Sequence, residues 1–215
     1  EVILVSSGAI GLGMGKLGLR ERPKDTPGKQ ACAAVGQCEL MYLYDNLFAE
    51  YSITVAQMLL TKYILLEDRR KNVENAMERL IAHGAIPIIN ENDTVAIDEL
   101  ELEVGENDSL AATVAAIAKA DLLIIMSDID GLYDKDPHTY DDARLIPVVH
   151  EITDDIRALA GGAGTKLGTG GMITKLNAVE IAYDSDIDVV LMNGQHPKTL
   201  YDLFDGKTVG TFFGH

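Results

Sequence analysis

The sequence predicts an α/β protein, a three-layer αβα sandwich around a mainly parallel central sheet, and three observations carry that expectation. Short β-branched runs recur along the chain with stretches of helical periodicity between them. Polar and glycine-containing segments follow directly on those runs, where open α/β sheets hold their ligands. The chain has 215 residues, 47% of them hydrophobic, enough to bury one substantial core, so a single domain is expected over residues 1–215.

Taken in order, Val2 to Val5 is apolar and reads as a buried strand. The chain starts with Glu1 rather than Met, already at the edge of that run, and is read as a fragment whose preceding residues are absent. Ser6-Ser7-Gly8-Ala9-Ile10 follows as a turn in which Gly8 permits close approach of backbone to ligand; hydroxyl and amide groups there suit a carboxylate, and equally suit a plain strand-to-helix turn. Lys29 to Glu50 is expected to be helical, and it carries both cysteines, Cys32 and Cys38, on different faces, which argues against a disulfide or a zinc pair. The same helix offers Leu40, Met41, Leu43, Tyr44, Leu47 and Phe48, more apolar side chains than one sheet contact uses, as an oligomer interface.

Ile53 to Leu59 is the second strand and Arg69 to His83 the next helix, with Val73, Met77, Leu80 and Ile81 at core spacing and Glu74, Glu78 and Arg79 left for solvent. Ile86 to Ile89 is the third strand. Asn90-Glu91-Asn92-Asp93 at its end is either an Asx-rich turn or a set of groups able to hold an ammonium. Glu91 to Glu106 alternates apolar and acidic residues and reads as a short hairpin or flap. Asn107 or Asp108 then suits the N-cap of a helix from Asp108 to Lys119. Bringing Asp93, Glu106 and Asp108 together demands a cationic partner, because clustered carboxylates repel.

Leu122 to Met126 is the fourth strand, followed by Ser127-Asp128-Ile129-Asp130-Gly131-Leu132-Tyr133, a turn suited to a nucleotide or simply stabilised by its Asp side chains. Asp134 to Asp142 reads as an exposed loop. The most informative segment is Gly168-Thr169-Gly170-Gly171-Met172-Ile173-Thr174-Lys175, a glycine run placed immediately before a helix expected over Gly170 to Tyr183. A helix N-terminus presents unpaired N–H groups to an anion, and a Lys near that end is disfavoured by the macrodipole unless a phosphate intervenes. The spacing is not that of a Walker loop, and a flexible turn with a surface Lys fits the same residues. Ile187 to Leu191 is the last central strand, and Val209 to Phe213 is expected as a closing edge strand.

Charge narrows the function classes. Eighteen basic against 34 acidic residues give a net charge of -16, so the overall field repels nucleic acid and anionic membrane. A nucleotide ligand would need local positive groups, helix N-termini or Mg²⁺. No apolar run of about 18 residues or signal peptide is seen, and two isolated cysteines fit a reducing compartment, so a cytoplasmic location is expected. His83, His138, His150, His196 and His215 have no metal-ligand spacing and are taken as surface residues.

Together these segments resemble the amino acid kinase superfamily, and within it the glutamate 5-kinase family. Val5 to Ile10, Gln57-Met58-Leu59-Leu60-Thr61, Asn90 to Asp93 and Gly168 to Lys175 carry the resemblance in order, while Asp130 to Tyr133 with Asp136-Pro137 is shared across the superfamily. The resemblance implies ATP-dependent phosphorylation of the side-chain carboxylate of L-glutamate, the first step of proline synthesis, with ATP as co-substrate and Mg²⁺ as its ion. It implies that Ser7, Asp93 and Asn107 bind glutamate with Gly8 giving a backbone contact, that Asp108 organises the catalytic lysines, and that Ser127, Asp128 and Thr169, Gly170, Gly171, Met172, Ile173, Thr174 and Lys175 bind ATP, with Lys175 reaching the transferred phosphate. It further implies a homo-oligomer, dimer or tetramer, and coupling to glutamate-5-phosphate reductase. Departures are an N-terminal strand and loop with an ATP-contacting Lys, and a C-terminal PUA domain, neither of which is found in this sequence; Glu106 stands where many relatives have Asp. Two other readings stay open: a kinase for another acceptor such as aspartate, acetylglutamate, carbamate or uridylate, and a non-catalytic module that binds amino acid or nucleotide.

Overall fold

The computed structural model describes residues 1–61, 67–95, 107–160 and 169–214. The chain divides into two compact units, Glu1–Leu110 and Ala111–His215. Its class is the expected one, mixed α/β with mainly parallel strands, and the described strands pair into two sheets, one in each unit.

The first unit contains β1 (Leu4–Val5), α1 (Ala9–Leu17), α2 (Thr26–Ala49), β2 (Val55–Leu60), α3 (Glu67–Ala82), β3 (Ile86–Glu91) and the start of α4 (Asn107–Ala118). Its sheet runs β1-β3-β2, all parallel, with Leu4 opposite Ile88 and Val55 opposite Ile86. The central strand explains itself: Pro87, Ile88, Ile89 and Asn90 are all buried, as expected for a strand covered on both faces. Beside it, Met77 is the buried residue of α3, while Glu78 and Arg79 face solvent.

One helix of this unit lies outside the segments of helical periodicity, although Ser6 to Ile10 also reads as a strand-to-helix turn. α1 carries Gly11, Gly13 and Gly15, a composition that argues for a loop, yet it forms because glycine lets it lie against α2. A Cβ on Gly13 would sit 1.8 Å from the backbone oxygen of Cys32, and one on Gly36 would sit 1.7 Å from that of Ala9. Such contact energy, absent from local propensity, stabilises the helix. An ion pair from Lys16 to Glu39 joins the same two helices. α2 begins in a regular way, with the Asp25 carboxylate accepting from the Gly28 N–H at 3.0 Å and Pro27 in the first turn. Cys32 is buried and Cys38 exposed, on different faces as expected.

The second unit holds the rest of α4, then β4 (Leu122–Ser127), β5 (Val148–Val149), α5 (Asp154–Ala160), α6 (Thr169–Tyr183), β6 (Asp188–Asn193), α7 (Thr199–Phe204) and β7 (Thr211–Phe213). The sheet order is β4-β6-β7-β5. β4 and β6 are parallel, Leu122 opposite Asp188 through Ser127 opposite Asn193, whereas β7 is antiparallel to β6 and parallel to β5. The expected closing edge strand therefore lies inside this sheet, with β5 at its margin, a strand too short to read from sequence. Its core gathers Ala112, Ile125, Leu176, Val179, Val189, Leu191 and Phe213.

Thr211 ties the segment after β4 to that core. It is fully buried; its hydroxyl accepts from the Leu132 N–H at 2.8 Å and donates to the Ile146 carbonyl at 2.7 Å. Gly210 at φ +64 allows β7 to approach β6, since a Cβ there would meet the Leu191 oxygen at 2.0 Å. The Asp134 to Asp142 loop is exposed at most positions and is closed by pairing of Tyr133 with Leu145.

Candidate functional site

In the first unit the predicted groups gather where β1 and β3 end. Ser6 continues β1, its N–H donating to the Ile89 carbonyl at 2.8 Å. Its hydroxyl lies 2.9 Å from the Tyr44 hydroxyl of α2 and 3.3 Å from the Ser7 carbonyl, to which it donates. Ser7 itself is exposed. Gly8 caps α1 with φ +98 and no side-chain cap, a left-handed conformation that glycine adopts at no steric cost. The first N–H groups of α1 are therefore not capped by the side chain of that residue, which suits an anion at this helix start.

Asn107, the first residue of α4, reaches this loop directly. Its Nδ2 donates to the Ser6 carbonyl at 3.2 Å and to Asn90 Oδ1 at 3.4 Å. Asn90 is 2% exposed, and its Oδ1 also accepts from the Glu91 N–H at 2.9 Å, while its Nδ2 donates to Gln37 Oε1 at 3.0 Å. Residues distant in sequence thus share one hydrogen-bonded cluster. Asp93, half-buried, lies two residues past β3. Burial pushes its carboxyl group above the usual range, and the Arg22 guanidinium opposes that shift. Asp108 lies in the first turn of α4, where a negative charge complements the helix dipole. Glu106 and most of the expected hairpin over Glu91 to Glu106 lie outside the described residues.

The second unit brings together the ends of β4 and β6. Ser127 is half-buried and Asp128 exposed, with the Ser127 hydroxyl donating to Asp128 Oδ1 at 3.1 Å. The Gly194 N–H donates to the Ser127 carbonyl at 2.7 Å, and Asn193 Nδ2 to Asp130 Oδ1 at 2.7 Å. The Tyr133 hydroxyl donates to the other Asp130 oxygen at 3.1 Å. Asn193 was not among the predicted residues; its signal is that it ends an apolar run, Val189 to Met192, in a polar group.

The glycine segment differs from expectation in one respect. α6 begins at Thr169, one residue before the expected start, so Gly170 and Gly171 lie in its first turn, and Lys175 stands six residues in, about 9 Å along the axis. The argument from an unfavourable macrodipole at Lys175 therefore weakens, since that effect fades beyond the first turn. Gly168 and the side chains of Thr169 and Gly170 lie outside the described residues. Gly171 and Ile173 are exposed, Met172, Thr174 and Lys175 half-buried, and the Thr174 hydroxyl donates to the Gly171 carbonyl at 2.9 Å. A Cβ on Gly171 would meet nothing within 4 Å, so packing does not require the glycine there, and its place in the first turn suits a ligand approaching the backbone. The described histidines are exposed, His150 bonding the Gly214 carbonyl through Nδ1 at 2.8 Å; His215 lies outside the described residues.

Among the described residues no helix is long and apolar enough to cross a membrane, and no group of three or more His, Cys, Asp or Glu is arranged to hold a metal. The fold is shared with solved kinases. The product complex of T. acidophilum isopentenyl phosphate kinase superposes with a TM-score of 0.62 at 20% identity, covering 99% of this chain and 83% of that one. Uridylate kinase from Archaeoglobus fulgidus gives 0.61 at 16% identity over 100% of this chain and 85% of that one. At those identities only the fold is shared. Sequence relatives are much nearer: the glutamate 5-kinase of Clostridium perfringens (strain 13 / Type A) is 51% identical over 99% of this chain and 80% of its own length, and that of Clostridium tetani (strain Massachusetts / E88) 54% identical over 99% and 79%. A model of the amino acid kinase family matches residues 1–193, and with these relatives it establishes that the chain belongs to that family and, within it, to the glutamate 5-kinases.

Proposed function

We propose that this chain transfers the γ-phosphoryl group of ATP to the side-chain carboxylate of L-glutamate, giving L-glutamyl 5-phosphate and ADP, as one kinase domain over residues 1–215. The observation that carries the acceptor half is the hydrogen-bonded meeting of the Ser6 loop, Asn90 and Asn107 at the carboxyl ends of β1 and β3. Hydroxyl, amide and carboxylate groups concentrated there match a small zwitterion with two carboxylates and an ammonium. Ser7, the Gly8 backbone, Asp93 and Asn107 take glutamate; Asp93 and the Asn107 carbonyl oxygen are acceptors fit for its ammonium. Ser127, Asp128 and the run Thr169 to Lys175 take ATP, with the start of α6 facing phosphate.

The chemistry asks little of a base. A glutamate side chain has a reference pKa of about 4.3, so its oxygen is ionised at neutral pH and attacks phosphorus without giving up a proton. One O–P bond forms, the bond to the bridging oxygen of ADP breaks, and ADP leaves with that electron pair. The obstacle is repulsion between carboxylate and phosphate, which fixed positive charge and positioning relieve. Lys175 supplies such charge, and Asp108 orients lysines. Asp128, an exposed carboxylate, would suit a Mg²⁺ ion brought by the nucleotide, which would supply charge neutralisation at the phosphates. The acyl phosphate product is labile, which favours direct transfer to a reductase, and the apolar residues exposed on α2, Tyr42, Leu43 and Leu47, favour a homo-oligomer.

The test is ADP release from Mg²⁺-ATP by the full-length protein with L-glutamate, aspartate, acetylglutamate or uridylate, with hydroxylamine trapping any acyl phosphate. Glutamate-dependent turnover with hydroxamate formation is expected. Turnover with another acceptor alone would keep the fold and overturn the substrate.

A further inference from the structure

α2 sends two polar side chains, Gln37 and Tyr44, towards the acceptor groups. They are seven residues apart, two helical turns, and so share a face. Tyr44 meets Ser6; Gln37, only 9% exposed, meets Asn90.

The orientation of each amide in this cluster follows from one fixed end. The Glu91 backbone N–H can only donate, so the Asn90 atom 2.9 Å away is its oxygen. Asn90 therefore turns its NH₂ to Gln37, and Gln37 must answer with Oε1, at 3.0 Å. The Asn90 oxygen in turn receives Asn107 Nδ2, which also donates to the Ser6 carbonyl, so the remaining amide atom of Asn107 is an acceptor. Gln37 Nε2 is left as a buried donor with no protein partner among the described residues. Packing alone gives no reason for that, since an unsatisfied buried donor costs stability and a Met or Leu would fill similar space.

We propose that Gln37 is a positioning residue for the acceptor amino acid. By accepting from the Asn90 NH₂, it reinforces the orientation that the Glu91 N–H sets, holds the Asn90 oxygen on Asn107 and thereby turns the Asn107 carbonyl oxygen outward to receive the substrate ammonium. Without it, Asn90 would keep only the bonds to its oxygen, from the Glu91 N–H and Asn107, with its NH₂ unheld, and the orientation it passes to Asn107 would be set less tightly. The proposal rests on the reading of this unit as the glutamate side.

Gln37→Met keeps the length of the side chain and removes its acceptor. In the full-length protein it is expected to raise the glutamate KM about tenfold, the scale of one buried hydrogen bond, and to leave the ATP KM within about twofold. Gln37→Glu, which keeps an oxygen facing Asn90, should recover much of the loss. In an Asn107→Ala background, Gln37→Met should add little, because both changes remove the same interaction. An unchanged glutamate KM in Gln37→Met, parallel rises in both KM values, or full additivity with Asn107→Ala would each overturn the positioning role while wild-type turnover of glutamate stands. If Gln37→Met does not fold, Gln37→Asn, which keeps the amide and shortens its reach, goes through the same cycle. Failure of the wild type itself to use glutamate would overturn the functional reading and this inference with it.

Discussion

The two units hold their polar groups in opposite ways. In the first unit, on the side proposed for the acceptor, Ser6 and Gln37 are 9% exposed and Asn90 2%, and the bonds Ser6–Tyr44, Gln37–Asn90 and Ser6–Asn107 span 38, 53 and 101 residues of sequence. In the second unit, on the side proposed for the nucleotide, Asp128 and Gly171 are exposed and the Ser127 and Thr174 hydroxyls bond within one and three residues of themselves, while the long-range bonds, Gly194 N–H to the Ser127 carbonyl and Asn193 to Asp130, tie the ends of β4 and β6 together. Buried, long-range bonds fix side chains before a ligand arrives, which lowers the ordering cost of binding and makes specificity sharp. Exposed, local bonds leave the groups free to adapt. A small amino acid must be told from close analogues by a few hydrogen bonds, whereas a triphosphate offers many oxygens and is held largely by charge and backbone N–H groups. The contrast predicts a separation: changes in the buried cluster act on acceptor affinity, and changes in the exposed one act on rate.

The largest effect should come from Lys175→Ala. On the proposed role of Lys175 at the transferred phosphate, loss of its charge is expected to lower kcat about 100- to 1,000-fold, the scale of a removed transition-state donor, with the glutamate KM changed by less than about threefold. Steady-state kinetics decide it, and a kcat near wild type would remove Lys175 from the mechanism. Asp108→Ala tests the contrast from the other side. On the proposed role of Asp108, kcat should fall here as well; a pure rise in glutamate KM would place it with the buried cluster instead.

Next in size, Asp93→Ala and Asn107→Ala should raise the glutamate KM about 10- to 100-fold, as expected for hydrogen bonds to a charged group, and spare the ATP KM. Calorimetric titration of glutamate would check the same point without turnover. Equal losses for both substrates would break the separation of the two sides.

How much of this was legible in the sequence depends on range. Strands such as Ile86–Glu91 and Leu122–Ser127 announce themselves by β-branched runs, and the Asn90 to Asp93 and Ser6 to Gly8 groups by following such runs. The glycines of α1 were not legible as packing, because Gly13 is explained only by Cys32 of α2, and Gly36 of α2 by Ala9 of α1; α5, α7 and β5 are too short to show a period. Gln37 left a faint signal, a polar residue in line with buried Ala33 and Leu40, but its purpose appears only when Asn90, 53 residues on, is beside it. Arg22, in the segment between α1 and α2, left none. A stability measurement sharpens the first of these cases. Gly36→Ala would drive a Cβ to 1.7 Å from the Ala9 oxygen and 2.5 Å from the Gly13 nitrogen, and such overpacking costs about 1–3 kcal/mol. A fall in Tm of roughly 2–4 °C per kcal/mol is expected for a chain of this size, together with a raised glutamate KM, because α1 carries Gly8 at its start. An unchanged Tm would mean that the helix pair is looser than its glycines imply.

The smallest expected effect concerns pH. Burial raises the Asp93 carboxyl pKa and Arg22 holds it down, so the two residues set where this side of the site loses its charge. In Arg22→Ala the opposing charge is gone, the pKa rises further, and Asp93 stays protonated to higher pH. If ionised Asp93 takes the ammonium, the acid limb of kcat/KM for glutamate moves to higher pH in that variant, while the plateau above it changes little. The stability sign is consistent with this. A carboxyl whose folded pKa exceeds its unfolded value of about 3.9 favours the folded state below that pH, and the benefit is lost as pH rises through the folded pKa. Arg22→Ala should therefore steepen the loss of Tm with rising pH through that range, and Asp93→Asn should abolish the contribution. An acid limb that stays in place in Arg22→Ala would show that Arg22 does not govern Asp93, and that the charge balance of the acceptor side is set elsewhere.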